Sequence, residues 1–124
     1  MNVWTFVGAA VAGGIGAGLR YLVDVLVVGG KPARFPLGIL VVNLTGSFAL
    51  GVLTGLGAAH LGTELAWVLG VGLLGGYTTF STVSVESALL IGTGEARRGW
   101  FNAAGTLVLG VAAAAAGLAL GSLF

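Results

Sequence analysis

Four long stretches of this sequence contain no charged residue: residues 1–19, 35–63, 65–85 and 99–124. A helix needs about 20 consecutive, predominantly apolar residues to cross the ~30 Å hydrocarbon layer of a bilayer, and each stretch is of about that length. Only 7% of the residues are charged, whereas a soluble domain carries roughly a quarter. The sequence therefore predicts an all-α membrane protein and argues against a soluble enzyme.

The predicted organisation is a single four-helix transmembrane domain covering residues 1–124. We place the helices at about residues 3–28, 36–58, 65–91 and 99–122, and the connections between them are too short for a soluble domain. A net charge of +1 offers no basic surface for a nucleic acid, and the absence of cysteine excludes a thiolate metal site. We expect a multi-pass protein of the cell membrane whose surroundings are lipid.

Small residues suggest how the predicted helices pack. Association of helices in lipid depends on close approach of small side chains, for which the GxxxG spacing is typical. This spacing occurs at Gly14/Gly18, Gly51/Gly55 and Gly117/Gly121. Each pair is weak evidence in a chain with 24 glycines, but together they predict a tight bundle. Four closely packed helices leave little room for a pore, so a transport function would require a second subunit.

The third predicted helix is the least regular, because its centre holds two adjacent glycines followed by a run of hydroxyl residues. The pair Gly75 and Gly76, with the β-branched residues after it, weakens a helix and predicts a break near the centre. Backbone carbonyls at such a break can coordinate a hard cation such as Na⁺ or K⁺. The alternative is a continuous helix whose hydroxyls bond back to the preceding turn.

Other polar side chains within the spans indicate where an ion could cross, because such groups are costly in hydrocarbon. Asn43 and Ser47 lie one turn apart on helix 2, and their N–H and O–H groups can replace water around an anion. A hydrogen bond that only joins two helices explains this pair equally well. Asn102 and Thr106 have the same spacing on helix 4. Phe80 can offer the positive edge of its ring to an anion, although most such phenylalanines only pack.

Three groups of residues form a specific set of motifs in helices 1 to 3. They are Gly13-Gly14, Gly16-Ala17 and Arg20-Tyr21; then Pro36-Leu37-Gly38 and Val42-Asn43-Leu44-Thr45-Gly46-Ser47-Phe48; and finally GGYTTFSTVSVE from Gly75 to Glu86. In content and order they resemble the CrcB/Fluc family of fluoride channels, whereas helix 4 is similar only in character. The resemblance implies small four-helix subunits in an antiparallel, dual-topology-type dimer with two fluoride pathways. It also implies passive export of fluoride, which relieves the toxicity of the anion.

The resemblance further implies which residues form the site. A structural Na⁺, which is not transported, would lie at the dimer centre and bind backbone carbonyls of Gly75 and Thr78. The fluoride pathway would be lined by Asn43, Phe80, Ser81 and Thr82. Further pathway or vestibule candidates are Arg20, Ser47, Glu86, Asn102 and Thr106. The chain departs from the family at Val83, where a second phenylalanine normally follows the first by three residues on the same face.

Positive charges are unevenly distributed over the predicted connections. The first and third connections carry Lys31, Arg34, Arg97 and Arg98, and the second carries no Lys or Arg. The positive-inside rule then predicts one orientation, with those two connections in the cytoplasm and both termini outside. An antiparallel homodimer needs both orientations, so the charge distribution leaves two possibilities: a homodimer, or a heterodimer with an oppositely biased paralogue.

Other functions fit the sequence less well. A partner-dependent or non-conducting subunit of a heterodimeric channel, or a membrane scaffold, would explain Val83. A small multidrug-type antiporter also has four helices, but it needs a carboxylate within helix 1, and Asp24 lies near the end of that helix. An enzyme is not expected, because no Ser/His/Asp or paired-carboxylate arrangement is present.

Overall fold

The computed structural model describes residues 1–29 and 36–124, apart from the side chain of Ala58. Throughout these residues the regular secondary structure is helical. Four stretches are long and apolar enough to cross a membrane: Val3–Val28, Leu37–Gly57, Thr63–Gly92 and Ala96–Gly121. The prediction of an all-α protein with four membrane spans is confirmed, and the chain is a multi-pass membrane protein. Lys31 and Arg34, on which part of the predicted charge asymmetry depends, lie outside the described residues.

The first span is the single helix α1 (Val3–Val28), and the second lies within α2 (Leu37–Leu61), which is kinked at Gly57. Asn2 caps α1, because its side-chain oxygen accepts a hydrogen bond from the backbone N–H of Thr5 at 2.9 Å. The second membrane span, Leu37–Gly57, ends one residue before the predicted end at residue 58. Near that point Gly57 departs from helical geometry with a positive φ of 73°, a conformation that glycine adopts without steric cost.

The other two spans differ in regularity. The third begins at Thr63, two residues before its predicted start, and it contains α3 (Thr63–Trp67), a π-helical segment (Val68–Leu74), α4 (Gly75–Tyr77) and α5 (Phe80–Gly92). The fourth is the single helix α6 (Ala96–Gly121), which begins three residues before the predicted start at residue 99. The irregular third span packs against α1, and its last helix, α5, packs against α6.

Two GxxxG pairs form the close contact between α2 and α6. A methyl group added at Gly51 or Gly55 would run into the backbone of α6, and one added at Gly117 or Gly121 would run into the backbone of α2. Only glycine allows the two helices to approach this closely. The expectation of tight packing through these pairs is confirmed, and it explains why α2 and α6 form the most extensive helix contact in the described chain.

The third GxxxG pair does not act in this way within the chain. A methyl group added at Gly14 or Gly18 would have no neighbour within 4 Å among the described residues. The first helix instead approaches the third span through the adjacent face, where Gly13 lies against Gly76 and Gly16 lies against the backbone of Tyr77. The spacing alone could not distinguish these faces, because glycines occupy both of them.

Two extended residues separate α4 from α5 in the third span, and we refer to them as the extended segment. Thr78 has φ −79° and ψ 156°, and Thr79 has φ −148° and ψ 126°. Gly75 and Gly76 themselves are helical, so the departure from helical geometry follows the glycine pair. The hydroxyl of Thr79 accepts a hydrogen bond from the backbone N–H of Thr82 at 3.2 Å, and Thr79 is therefore the N-cap of α5.

Candidate functional site

A groove of about 400 Å³ lies where α2, the extended segment, α5 and α6 meet. We refer to it as the central groove. Its polar lining comes from Asn43 and Ser47 on α2, from Thr78 and Thr79, and from Thr106 on α6. The other lining residues are apolar, and none of the described residues that line it is charged. The central groove therefore offers neutral hydrogen-bonding groups within apolar walls.

Asn43 binds the extended segment with both ends of its side-chain amide. Its Nδ2 donates to the backbone carbonyl of Thr79 at 2.9 Å, and its Oδ1 accepts from the backbone N–H of the same residue at 2.8 Å. Both residues are buried. Since an amide nitrogen carries two hydrogens, one N–H of Asn43 remains for a ligand in the central groove.

Thr106 supplies a hydroxyl that the fold itself does not use. Its Oγ1 is buried and has no hydrogen-bond partner among the described residues. Leaving such a group unpaired costs about 1–3 kcal/mol, and most buried polar atoms in folded proteins are paired. Because Thr106 lines the central groove, its hydroxyl is a candidate group for binding a ligand there.

Two positions on α5 contrast at the edge of the central groove. Phe80 is 85% exposed in the single chain, although it lines the groove. Val83, the position at which the sequence resemblance implies a second phenylalanine, lines the same groove and is buried. The Phe80 ring is therefore available to a ligand or to a neighbouring subunit, whereas the groove holds a small aliphatic side chain where a second ring would be expected.

Ser81 and Thr82 lie around the cap of α5 and are not among the residues that line the central groove. The Thr79 hydroxyl lies 3.2 Å from Ser81 Oγ and donates to Thr82 Oγ1 at 3.1 Å. Thr79 thus contacts the hydroxyls of both residues, although it is not among the site residues predicted from the sequence. The available signal was a threonine directly before the start of a helix, where a side-chain oxygen commonly caps the backbone.

Asn102, Glu86 and Arg20 also lie apart from the lining of the central groove. The Nδ2 of Asn102 donates to Ser87 Oγ at 2.9 Å, and this buried bond joins α6 to α5. Glu86 is half-buried on α5, and its Oε2 has no partner among the described residues. Arg20 is half-buried on α1. Asn102 therefore joins two helices in this chain and does not line the central groove.

The extended segment redirects two backbone N–H groups. In a continuous helix the N–H of Thr79 would donate to the carbonyl of Gly75, and that of Thr82 to the carbonyl of Thr78. Here Thr79 donates to Asn43 Oδ1 and Thr82 donates to Thr79 Oγ1. The carbonyls of Gly75 and Thr78 are thereby released from these helical bonds, and carbonyl oxygens of this kind suit a hard cation.

Comparison with known proteins adds independent information. The sequence model of the family described as "CrcB-like protein, Camphor Resistance (CrcB)" matches residues 7–118. The chain is 42% identical to "Fluoride-specific ion channel FluC 1" of Leifsonia xyli subsp. xyli, over 99% of this chain and 90% of that protein. It is 44% identical to "Fluoride-specific ion channel FluC 2" of Cutibacterium acnes, over 95% of this chain and 98% of the relative. It is 45% identical to "Fluoride-specific ion channel FluC" of a Shewanella species, over 81% and 78%.

Proposed function

Since the chain belongs to the CrcB family, we propose that it is a fluoride channel that lets fluoride leave the cell passively across the cell membrane. The observation that carries this proposal is the central groove. Its wall contains the free N–H of Asn43, the hydroxyl of Ser47 and the unpaired hydroxyl of Thr106, and the described residues that line it are uncharged. The relatives named as fluoride-specific ion channels support the choice of anion.

The chemistry of the central groove suits a small, strongly hydrated anion. Fluoride must exchange its water for other donors to enter a narrow path, and amide and hydroxyl groups supply them. Conduction also requires that the ion leave again, so neutral donors are better than a fixed positive charge that would hold it. The edge of the Phe80 ring adds a weak positive potential and, like the neutral donors, carries no full charge that would hold the ion.

We propose that a second subunit in antiparallel orientation completes the pathway. Phe80 is 85% exposed although it lines the central groove, and Gly75 beside the extended segment is exposed in the single chain. A neighbouring subunit that covers these two positions would enclose the open side of the groove. The dimer would thus exclude lipid from a path that a single chain leaves open.

We further propose that the dimer holds a structural, non-transported Na⁺ through the carbonyls of Gly75 and Thr78. These carbonyl oxygens fit such an ion, because neither accepts its usual helical hydrogen bond. The Thr79 N–H donates to Asn43 Oδ1, and the Thr82 N–H donates to Thr79 Oγ1. When bound, Na⁺ supplies a positive charge that joins carbonyl dipoles of the two subunits. The extended segment supplies the geometry that a continuous helix would not provide.

Two forms of the dimer are consistent with the sequence: a homodimer, and a heterodimer with an oppositely biased paralogue. Val83 favours the second form, because a partner with phenylalanine at this position could supply the missing ring. Accessibility of tags at the termini in intact cells separates the two. Termini found only outside the cytoplasm support a heterodimer, whereas a mixed population with many cytoplasmic termini contradicts the single orientation that the charges predict.

Growth in fluoride tests the export function. Cells that lack their own fluoride exporter are expected to grow in otherwise inhibitory fluoride when they express this chain, alone or with an oppositely biased paralogue. Thr106→Val, which removes one hydroxyl from the central groove and adds no bulk, should give weaker protection than the wild type. Membrane-inserted wild-type protein that gives no protection under either condition would contradict the proposed export.

A further inference from the structure

Two hydrogen bonds between the second and third spans join Asn43 to Thr79. The two hydrogen bonds have lengths of 2.8 and 2.9 Å, they use both ends of the amide, and both residues are buried with 7% and 8% exposure. A residue that only lines a path would not need two bonds to the same backbone unit. This contact therefore orients the Thr79 backbone in addition to lining the central groove.

The consequence concerns the direction of the Thr79 peptide groups. By accepting the Thr79 N–H, Asn43 draws it away from the carbonyl of Gly75. The Thr79 side chain then takes the N–H of Thr82, which would otherwise turn toward the carbonyl of Thr78. Both carbonyls of the proposed cation site are thus released by one chain of contacts that starts at Asn43.

A second contact from α2 supports the same arrangement. Gly46 lies one turn after Asn43, and a methyl group added there would collide with the side-chain methyl of Thr78 and come within 3.1 Å of the Tyr77 ring. In addition, Thr45 Oγ1 lies 2.9 Å from the Tyr77 hydroxyl. One turn of α2 therefore fits closely against the segment from Tyr77 to Thr79, and Asn43 supplies its bonds to the Thr79 backbone.

We propose that Asn43 is a positioning residue for the cation site and that its amide thereby couples that site to the central groove. The inference rests on the proposed function, because the cation site is part of it. The same amide contacts the backbone that presents the carbonyls and keeps one N–H for the groove. Loss of the Asn43 bonds allows the extended segment to return toward helical bonding, which withdraws the carbonyls of Gly75 and Thr78 from the cation.

The test measures Na⁺ dependence of thermal unfolding, because a merely structural defect lowers stability equally at every Na⁺ concentration. Purified protein in detergent is titrated with Na⁺ at constant ionic strength, with N-methyl-D-glucamine as the replacing cation. A cation that binds only the folded state raises the unfolding temperature in a concentration-dependent way. Asn43→Ala is expected to raise the Na⁺ concentration for half-maximal stabilisation at least tenfold, and high Na⁺ is expected to restore the wild-type unfolding temperature in part.

Two further variants sharpen the result. Ser47→Ala is the matched control, since Ser47 lines the central groove from the same face of α2 without a bond to Thr79; it should slow fluoride efflux and leave the Na⁺ titration unchanged. Asn43→Asp keeps an acceptor for the Thr79 N–H and, when ionised, loses the donor to the Thr79 carbonyl. It should therefore give a half-maximal Na⁺ concentration between those of wild type and Asn43→Ala.

Three results would overturn the inference. The first is a wild-type Na⁺ titration for Asn43→Ala, and the second is an equal shift for Ser47→Ala. The third is loss of folded protein in both Asn43 variants that high Na⁺ does not reverse, because mass action should compensate for a positioning defect. Fluoride efflux is measured separately on the same samples. If wild-type protein shows no fluoride efflux and Asn43→Ala still shifts the Na⁺ titration, the channel function is refuted and the positioning role of Asn43 stands.

Discussion

Thr106→Val is expected to slow fluoride conduction without destabilising the fold. The substitution replaces a hydroxyl by a methyl group of similar size. In most proteins removal of a buried hydroxyl breaks a hydrogen bond, but Thr106 Oγ1 has no partner among the described residues. The folded state loses no internal bond and is relieved of an unpaired polar group worth about 1–3 kcal/mol. The unfolding temperature should stay constant or rise.

Conduction should respond in the opposite direction. A hydrogen bond to a charged partner contributes about 1.5–3 kcal/mol, and each 1.4 kcal/mol is about tenfold in rate or affinity. Loss of the hydroxyl should therefore reduce fluoride efflux from proteoliposomes by about 10- to 100-fold. The matched control is Thr54→Val, because the Thr54 hydroxyl bonds back to the carbonyl of Leu50 at 2.8 Å and lies outside the central groove. An efflux rate for Thr106→Val within twofold of wild type, in folded protein, would refute the assigned role.

Three further predictions concern the contact of α2 with α6, the hydrogen bond between Ser87 and Asn102, and the side chain at position 83. Gly117→Val should prevent close contact of α2 and α6 and abolish the monodisperse peak in size-exclusion chromatography. Gly92→Ala is the control and should retain the peak, because its added methyl group meets nothing within 4 Å. Equal behaviour of the two variants would contradict the proposed packing. Ser87→Ala should destabilise the fold by about 1–3 kcal/mol, because it leaves the Asn102 amide unpaired. A double-mutant cycle of Ser87→Ala and Asn102→Ala that gives no coupling energy would argue against this hydrogen bond. Val83→Phe should increase fluoride efflux of the chain reconstituted alone, and an unchanged rate would show that the missing ring is not limiting.

The membrane architecture could be read from the sequence because a bilayer imposes a simple physical condition. Backbone groups in hydrocarbon must be paired within a helix, and charges must stay near the ends of the spans. The charge-free stretches therefore located all four spans, and α1 was placed at residues 3–28, where the structure has Val3–Val28. The starts of the third and fourth spans were less predictable, and they lie at Thr63 and Ala96, before the predicted residues 65 and 99.

The contacts of individual glycines could be predicted only in part. The GxxxG spacing identified the α2 and α6 pairs correctly, because both glycines of each pair lie against the backbone of the facing helix. The first helix has glycines on two faces, and the sequence selected Gly14 and Gly18 where the structure uses Gly13 and Gly16. Which face meets the third span depends on the arrangement of all four helices, and local spacing does not contain that information.

The candidate site shows the same division. Residue chemistry identified Asn43, Ser47 and Thr106 as polar groups within the spans, and the structure brings them to one groove. The partner of Asn43 could not be predicted, since Thr79 is distant in sequence and its role depends on how α2 crosses the extended segment. Asn102, a pathway candidate from its spacing to Thr106, instead donates to Ser87, and the sequence does not indicate that contact.

Fluoride efflux from proteoliposomes tests the central claim most directly. The chain is reconstituted with and without Na⁺, alone and together with any oppositely biased paralogue from the same genome, and release of fluoride and of chloride is followed with ion-selective electrodes. The account predicts rapid fluoride release that requires Na⁺ during reconstitution, with chloride retained. Membrane-inserted, folded protein that releases no fluoride alone or with the paralogue, or that releases chloride as fast as fluoride, would contradict it.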